Sequence, residues 1–417
     1  MAKIKKIKGR QVFDSRGNPT VEAEILLSDG SCASAIVPSG ASTGTHEAFE
    51  LRDLENNNYL GKGVYKAIEK VNGEISKALT GFSSDDQKKF DNILINLDNT
   101  EQKKRLGSNA ILSVSLAFSK VIAISKKISL YKNLGNGQTL PLPLMNVING
   151  GAHSNNSLRI QEFMIRPDKA ENFTEAIKIC FLVLKKLKSL MIKKKLSTNV
   201  GDEGGFAPSL SNNEDAIECI LESIENAGFH SGKDVSICLD VAANELFKAK
   251  KYAVGSSKFI SAQETISYYL DLIKKYPIKS IEDPFSEDDW FAWSEFTKLS
   301  NNSIQIVGDD LFVTNKKRLL NGVGKKAANS ILIKPNQIGT VTETIEVIRL
   351  AHQNDYKTII SHRSGDTEDT FISDLAVATN SSQIKAGSLT RSERVAKYNR
   401  LLRIEEELGN SAKMVKV

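Results

Sequence analysis

The chain has 417 residues, 40% of them apolar and 25% charged, with a formal net charge of +6. That composition excludes a disordered or collagen-like chain, and no run approaches the ~18 consecutive apolar residues of a membrane helix. The length suits a barrel plus a smaller domain, and the positive excess suits an anionic substrate but is too dispersed for specific nucleic-acid binding.

The opening M-A-K-I-K-K-I-K-G-R alternates Lys with Ile, which predicts an edge strand, and it has no apolar core of a signal peptide. Strand patterns follow in K-I-K-G-R-Q-V-F-D, T-V-E-A-E-I-L-L and S-C-A-S-A-I-V-P, with turns at Gly17-Asn18-Pro19 and Asp29-Gly30. Helices are expected near 60–80, 84–95 and 108–127, the last capped by Ser108-Asn109. Residues 1–135 therefore read as an α+β domain, and N-L-G-N-G-Q-T-L-P-L-P at 133–143 as the linker to a second domain over 136–417.

The second domain opens with L-M-N-V-I-N and R-I-Q-E-F-M-I, close enough to form a hairpin. A long helix begins near Glu171, with Ile177, Phe181, Leu184 and Leu187 on its apolar face and a lysine-rich solvated face from Lys185 to Lys195. After G-D-E-G-G, six short apolar strands end on Asp240, Glu282, Asp309, Lys334, His362 and Lys385, with room for a helix between successive strands. That alternation predicts a parallel β/α barrel whose strand ends share one mouth. The segment Y-N-R-L-L-R-I-E-E-E-L-G gives a closing helix.

Three carboxylates at one mouth would repel one another without a cation, so Asp240, Glu282 and Asp309 predict a Mg²⁺ site. Lys334 ends an apolar strand, where burial beside Lys385 and a metal would lower its pKa and suit it to act as a base. Glu203 in G-D-E-G-G, with Glu162 as a further carboxyl, is a candidate acid. His362-Arg363-Ser364-Gly365 offers a guanidinium, a hydroxyl and backbone N–H groups to a phosphate. His153 is a lone loop histidine, and Ser39-Gly40-Ala41-Ser42-Thr43-Gly44 is a small polar segment that reads equally as a lid or a loop. Cys32, Cys180, Cys219 and Cys238 form no C-x-x-C pair and predict reduced, mostly buried thiols of a cytoplasmic protein.

Taken together, D-S-R-G-N-P-T-V-E, S-G-A-S-T-G, N-G-G-A-H, Q-E-F-M-I, G-D-E-G-G-F-A-P, L-D-V-A-A-N-E, I-E-D-P-F, G-D-D-L-F-V-T-N, K-P-N-Q-I-G-T, S-H-R-S-G-D-T-E-D, I-K-A-G and L-L-R-I-E-E-E-L resemble the enolase family nearly end to end. The resemblance implies an eight-stranded barrel with an irregular start, capped by the smaller domain. It implies reversible dehydration of 2-phosphoglycerate to phosphoenolpyruvate in glycolysis and gluconeogenesis, with two Mg²⁺ ions per site. Under it, Asp240, Glu282 and Asp309 hold the first Mg²⁺, and Ser39, on a mobile loop, joins the second. Lys334 takes the C2 proton, and Glu203, assisted by Glu162, protonates the departing hydroxyl. Lys385 holds the substrate carboxylate, Arg363 and Ser364 the phosphate, and His153 closes over the site, with His362 lining it. A homodimer or larger homo-oligomer is implied. A-G-S-L-T-R-S-E-R and I-R-P-D-K depart from the family pattern, the latter placing Arg166 and Lys169 near the rim. A related racemase or cycloisomerase barrel would not need the serine loop, Glu203 and the His-Arg-Ser run, and a purely scaffolding role would not need an intact catalytic set.

Overall fold

The structure, a computed structural model, describes residues 2–40, 44–55 and 58–416. Strands β1 (Ile4–Phe13), β2 (Pro19–Leu27) and β3 (Cys32–Ile36) form an antiparallel sheet in the order β1-β2-β3, so the Lys/Ile strand lies at an edge. Its inward Ile4 and Ile7 are buried while the intervening lysines are exposed. Helix Ser108–Ser125 packs on β2 and β3. By length and hydropathy that helix could cross a membrane, yet 83% of it is buried, so it serves as the core helix of this unit.

Several helix starts differ from the expected ones, each for a local reason. Near 60–80 a short 3-10 turn, Tyr59–Gly61, precedes the α-helix, which starts at Tyr65, where the Asp53 carboxylate accepts from the Tyr65 and Lys66 backbone N–H groups. Asp86 caps Gln87–Asp98 by accepting from Lys88 and Lys89. Ser108 and Asn109 do not cap their helix. Gly107, at φ 92, precedes it, and the Asn109 side chain instead pins Leu51 through both its N–H and its carbonyl. In the long helix Phe173–Lys193 the buried stripe includes Ile179, Cys180, Val183, Leu184 and Leu187, whereas Phe181 is exposed.

The barrel strands are β4 (Leu142–Asn149), β5 (Glu162–Arg166), β6 (Ser236–Asp240), β7 (Ile278–Glu282), β8 (Gln305–Gly308), β9 (Ser330–Ile333), β10 (Lys357–Ser361) and β11 (Gln383–Lys385). They close in the order β7-β8-β9-β10-β11-β4-β5-β6, with β6 paired to β7. Only β5 runs antiparallel to its neighbours, which is the expected irregular hairpin start. Leu144, Met164, Cys238, Val307, Leu332 and Ile359 fill the interior, and Gln305 and Gln383 exchange amide hydrogen bonds of 3.0 and 2.9 Å within it. Reversal of β5 sets Glu162 beside Asp240 at the mouth and Arg166 beside Ser236 at the opposite end. Arg166 is therefore not a rim residue.

The two units are bound by buried polar contacts. Asp91 accepts from the Thr342 backbone and hydroxyl, and Lys103 meets Glu343 at 3.0 Å. Cys180, Cys219 and Cys238 are buried, Cys32 is exposed, and all four are free thiols.

Candidate active site

The mouth of the barrel is lined by His153, Glu162, Glu203, Asp240, Asp309, Lys334, His362, Arg363, Ser364 and Lys385, together with Gln161, Asp283 and Asp310. Sequence reading had not singled out the last three. Glu282 touches this group through Lys385, whose Nζ lies 2.7 Å from Asp240, 2.9 Å from Glu282 and 3.1 Å from Glu162. Lys334 pairs with Asp309, whose other oxygen accepts from Gln337 at 2.9 Å.

These contacts set the charge states. Against burial, the charges of Asp240, Glu162 and Glu282 hold the Lys385 proton well above the ordinary lysine range. Burial also opposes the Lys334 charge, but Asp309 outweighs it, so the Lys334 pKa is raised. Burial, then the Asp240 charge, pushes Glu282 well above the carboxylate range, and its Oε2 is buried without a hydrogen-bond partner.

Asp283 and Asp310 adjoin Asp309. The Asp283 carboxylate accepts from the backbone N–H groups of Asp309 at 2.9 Å and Asp310 at 2.8 Å, which fixes the G-D-D turn. Burial and the neighbouring Asp309 charge push Asp310 up to about 7. The carboxyl oxygens of Asp283, Asp309 and Asp310 converge closely enough to share one cation, as do donor atoms of His153, Glu162 and Glu203. Asp240 and Glu282 do not complete such a cluster with Asp309, because the two lysines stand between the acids. The donor set nevertheless fits a hard cation. Carboxyl groups outnumber the permanent cations Lys334, Arg363 and Lys385 at this mouth, and Glu282 keeps a buried carboxyl oxygen without a hydrogen-bond partner.

Asn146, buried in β4, donates to Glu162 at 3.1 Å and to Glu203 at 3.3 Å, so the two carboxyls are tied together. Burial and the Glu203 charge push Glu162 well above its ordinary range. Against the same burial, His362 and His153 hold Glu203 well below its own. The two carboxyls therefore titrate as one coupled pair. His153 is buried, with Nδ1 3.7 Å from Glu162 and 3.8 Å from Glu203.

The tautomer of His362 follows from its neighbours. Arg394, fully buried, places Nη1 2.5 Å from His362 Nδ1, and a guanidinium can only donate. Burial pushes the His362 pKa down to about 4, so the ring is neutral and its proton sits on Nε2. That atom lies 3.2 Å from Glu203 Oε2, close but off the line of a hydrogen bond. Arg394 also donates to the carbonyls of Arg363 and Ser364, both at 2.6 Å, and so shapes the turn that carries them.

Ser39 is not brought to the acids. Its hydroxyl donates to Glu50 at 3.0 Å and accepts from Arg52 at 3.1 Å, and its backbone pairs with Gly365. Of the expected lid, Ala41, Ser42 and Thr43 lie outside the described residues.

The chain matches two family models, "Enolase, N-terminal domain" over residues 4–134 and "Enolase, C-terminal TIM barrel domain" over residues 137–416. A curated relative named Enolase, from Pelagibacter ubique (strain HTCC1062), is 64% identical over 419 residues, covering 100% of both chains.

Proposed function

The chain belongs to the enolase family and is a lyase with phosphopyruvate hydratase activity, and on that premise we propose a mechanism for its mouth residues. The reaction is the reversible loss of water from 2-phospho-D-glycerate to give phosphoenolpyruvate. Lys334 takes the proton from C2, the electron pair left behind forms the C2–C3 double bond, and the C3–O bond breaks. Glu203 protonates the departing hydroxyl, drawing on the proton it shares with Glu162. Asn146 supports that sharing because it bonds both carboxyls. His362 keeps its Nε2–H toward Glu203 and so orients it.

Arg363 and Ser364 take the phosphate, and Lys385 takes the substrate carboxylate. His153 covers the Glu162–Glu203 pair. Asp240, Glu282 and Asp309 would hold a first Mg²⁺, and Ser39 would contribute to a second if its hydroxyl left Glu50 and Arg52. Bound there, the cations would take up the Asp309 charge that now retains the Lys334 proton and would stabilise the charge built on the substrate carboxylate. The observation that carries this reading is that Lys334, the Glu162–Glu203 pair and Arg363 line one buried cavity. The test is a spectrophotometric assay of phosphoenolpyruvate formation from 2-phosphoglycerate, with Mg²⁺ and after chelation. Turnover that survives chelation would contradict the metal roles, and no turnover in Mg²⁺ would contradict the substrate.

We also assign residues 1–135 to a capping domain and 136–417 to the barrel, in a cytoplasmic homodimer or larger homo-oligomer. Two features support the assembly. Phe13 is 54% and Leu60 83% exposed, and Tyr59 stacks edge-on against Phe13, a cluster suited to burial against another copy.

A further inference from the structure

The end of the barrel opposite the mouth carries a second cavity, of about 690 Å³, bounded by Arg166, Asp168, Lys233, Lys279, Asp355 and Lys357 among other residues. Its position follows from the strand directions. Lys279 and Lys357 stand at the starts of β7 and β10, Lys233 just before β6, and Arg166 at the end of the reversed strand β5. Each is thus turned away from the catalytic end.

The charge there is unbalanced. Four permanent cations face two acids. Asp168 is already engaged, since it accepts from Arg166 Nε at 2.5 Å and Nη2 at 3.3 Å and from the Ser236 hydroxyl. Arg166 is held rigidly by this contact and is only 6% exposed. Lys233, Lys279 and Lys357 make no ion pair among the described residues. Burial and the neighbouring Arg166 charge push the Lys357 ammonium below its ordinary range, a cost that a bound anion would relieve.

We propose that this cavity binds a small oligophosphate anion, held by Lys233, Lys279 and Lys357 around the buried Arg166. The volume falls in the ~300–1,000 Å³ range of small-ligand sites. Lysines at two strand starts and in the turn before a third strand act as separate point charges, which suits an anion carrying several charged groups better than the planar fork geometry of a carboxylate site. The site is independent of the catalytic reading, because none of its residues lines the mouth.

Inorganic pyrophosphate is the probe, titrated calorimetrically into the full chain at fixed free Mg²⁺. The proteins compared are the wild type, Lys279→Gln/Lys357→Gln and Arg363→Ala. We expect pyrophosphate binding that survives in Arg363→Ala and weakens about tenfold or more in the double glutamine variant, as befits loss of two charge-assisted contacts. Turnover of 2-phosphoglycerate by that variant should match the wild type. A Lys279→Arg/Lys357→Arg protein should retain the binding, which separates lost charge from a disturbed fold. Unchanged affinity in the glutamine variant, loss of all binding in Arg363→Ala, loss of binding in the arginine variant, or no wild-type binding at millimolar pyrophosphate would each overturn the proposal.

Discussion

The Glu47 carboxylate sits on the Arg363 guanidinium, with Oε2 2.9 Å from Nη1 and Oε1 3.3 Å from Nη2. Glu47 Oε1 also accepts from the Gly44 backbone at 3.1 Å and from Gln337 at 3.3 Å. A carboxylate thus occupies the cation assigned to the substrate phosphate and ties it to the segment that follows Ser39. Phosphate must displace it. Glu47→Gln should therefore tighten competitive inhibition by inorganic phosphate about tenfold, since a charge-assisted contact no longer competes. Steady-state inhibition constants measure this, and an unchanged constant would show that Glu47 leaves Arg363 at no cost.

Metal affinity should respond to the lysines as well as to the acids. Asp240→Asn, Glu282→Gln and Asp309→Asn should each weaken Mg²⁺ binding about tenfold or more, because each removes an anionic ligand. Lys385→Met should do the reverse. Its ammonium lies 2.7 Å from Asp240 and 2.9 Å from Glu282 and so competes for the same oxygens. Titration calorimetry distinguishes the two effects. Equal Mg²⁺ affinity in all four variants would remove these residues from the metal site.

Acid and base can be separated by isotope exchange. Lys334→Ala should abolish exchange of the substrate C2 proton with deuterated solvent. Glu203→Gln should abolish dehydration while leaving measurable exchange, since the base is intact. Asn146→Ala should fall between them, lowering dehydration more than exchange, because it loosens the Glu162–Glu203 pair and does not touch Lys334. Proton NMR of the substrate reads both rates. Parallel loss of exchange in the Lys334 and Glu203 variants would contradict separate roles.

Much of this site was legible because barrel geometry turns strand ends into one mouth. Asp240, Glu282, Asp309, Lys334, His362 and Lys385 could be found by reading where apolar runs stop. The same rule takes one residue per strand, so it passed over Asp283 and Asp310, which follow their strand-end partners directly. Arg394 left a signal that went unused. With Lys397 it falls on the same helical stripe as Tyr398, Leu401 and Ile404, and all five are buried. A charge on an apolar stripe needs a partner, and here the partners are His362 and Asp366. Glu47 left no signal, because only the fold brings a loop of the first unit onto the turn after β10. The raised Lys334 pKa was also illegible, since it depends on which acid the amine reaches.

Asp91 should make stability fall as pH rises. It lies on helix Gln87–Asp98 and accepts from Gln87 at 3.1 Å, Ser115 at 2.7 Å, the Thr342 backbone at 2.9 Å and the Thr342 hydroxyl at 2.6 Å. Burial still outweighs these bonds and pushes its pKa up to about 6, from an ordinary 3.8. Between those values the folded chain holds a proton that the unfolded chain has released, so stability declines across that window and the loss is complete above it. The expected decline is about 3 kcal/mol from this one group. Asp91→Asn cannot ionise and should escape it, although an amide oxygen and N–H replace two acceptors and cost stability at every pH. Its deficit relative to the wild type should therefore be largest near pH ~4 and shrink by pH ~7. Calorimetric unfolding of both proteins at the two pH values measures the difference. A deficit that stays constant, or grows with pH, would mean that the Asp91 carboxylate is stabilised by its four donors more than burial penalises it.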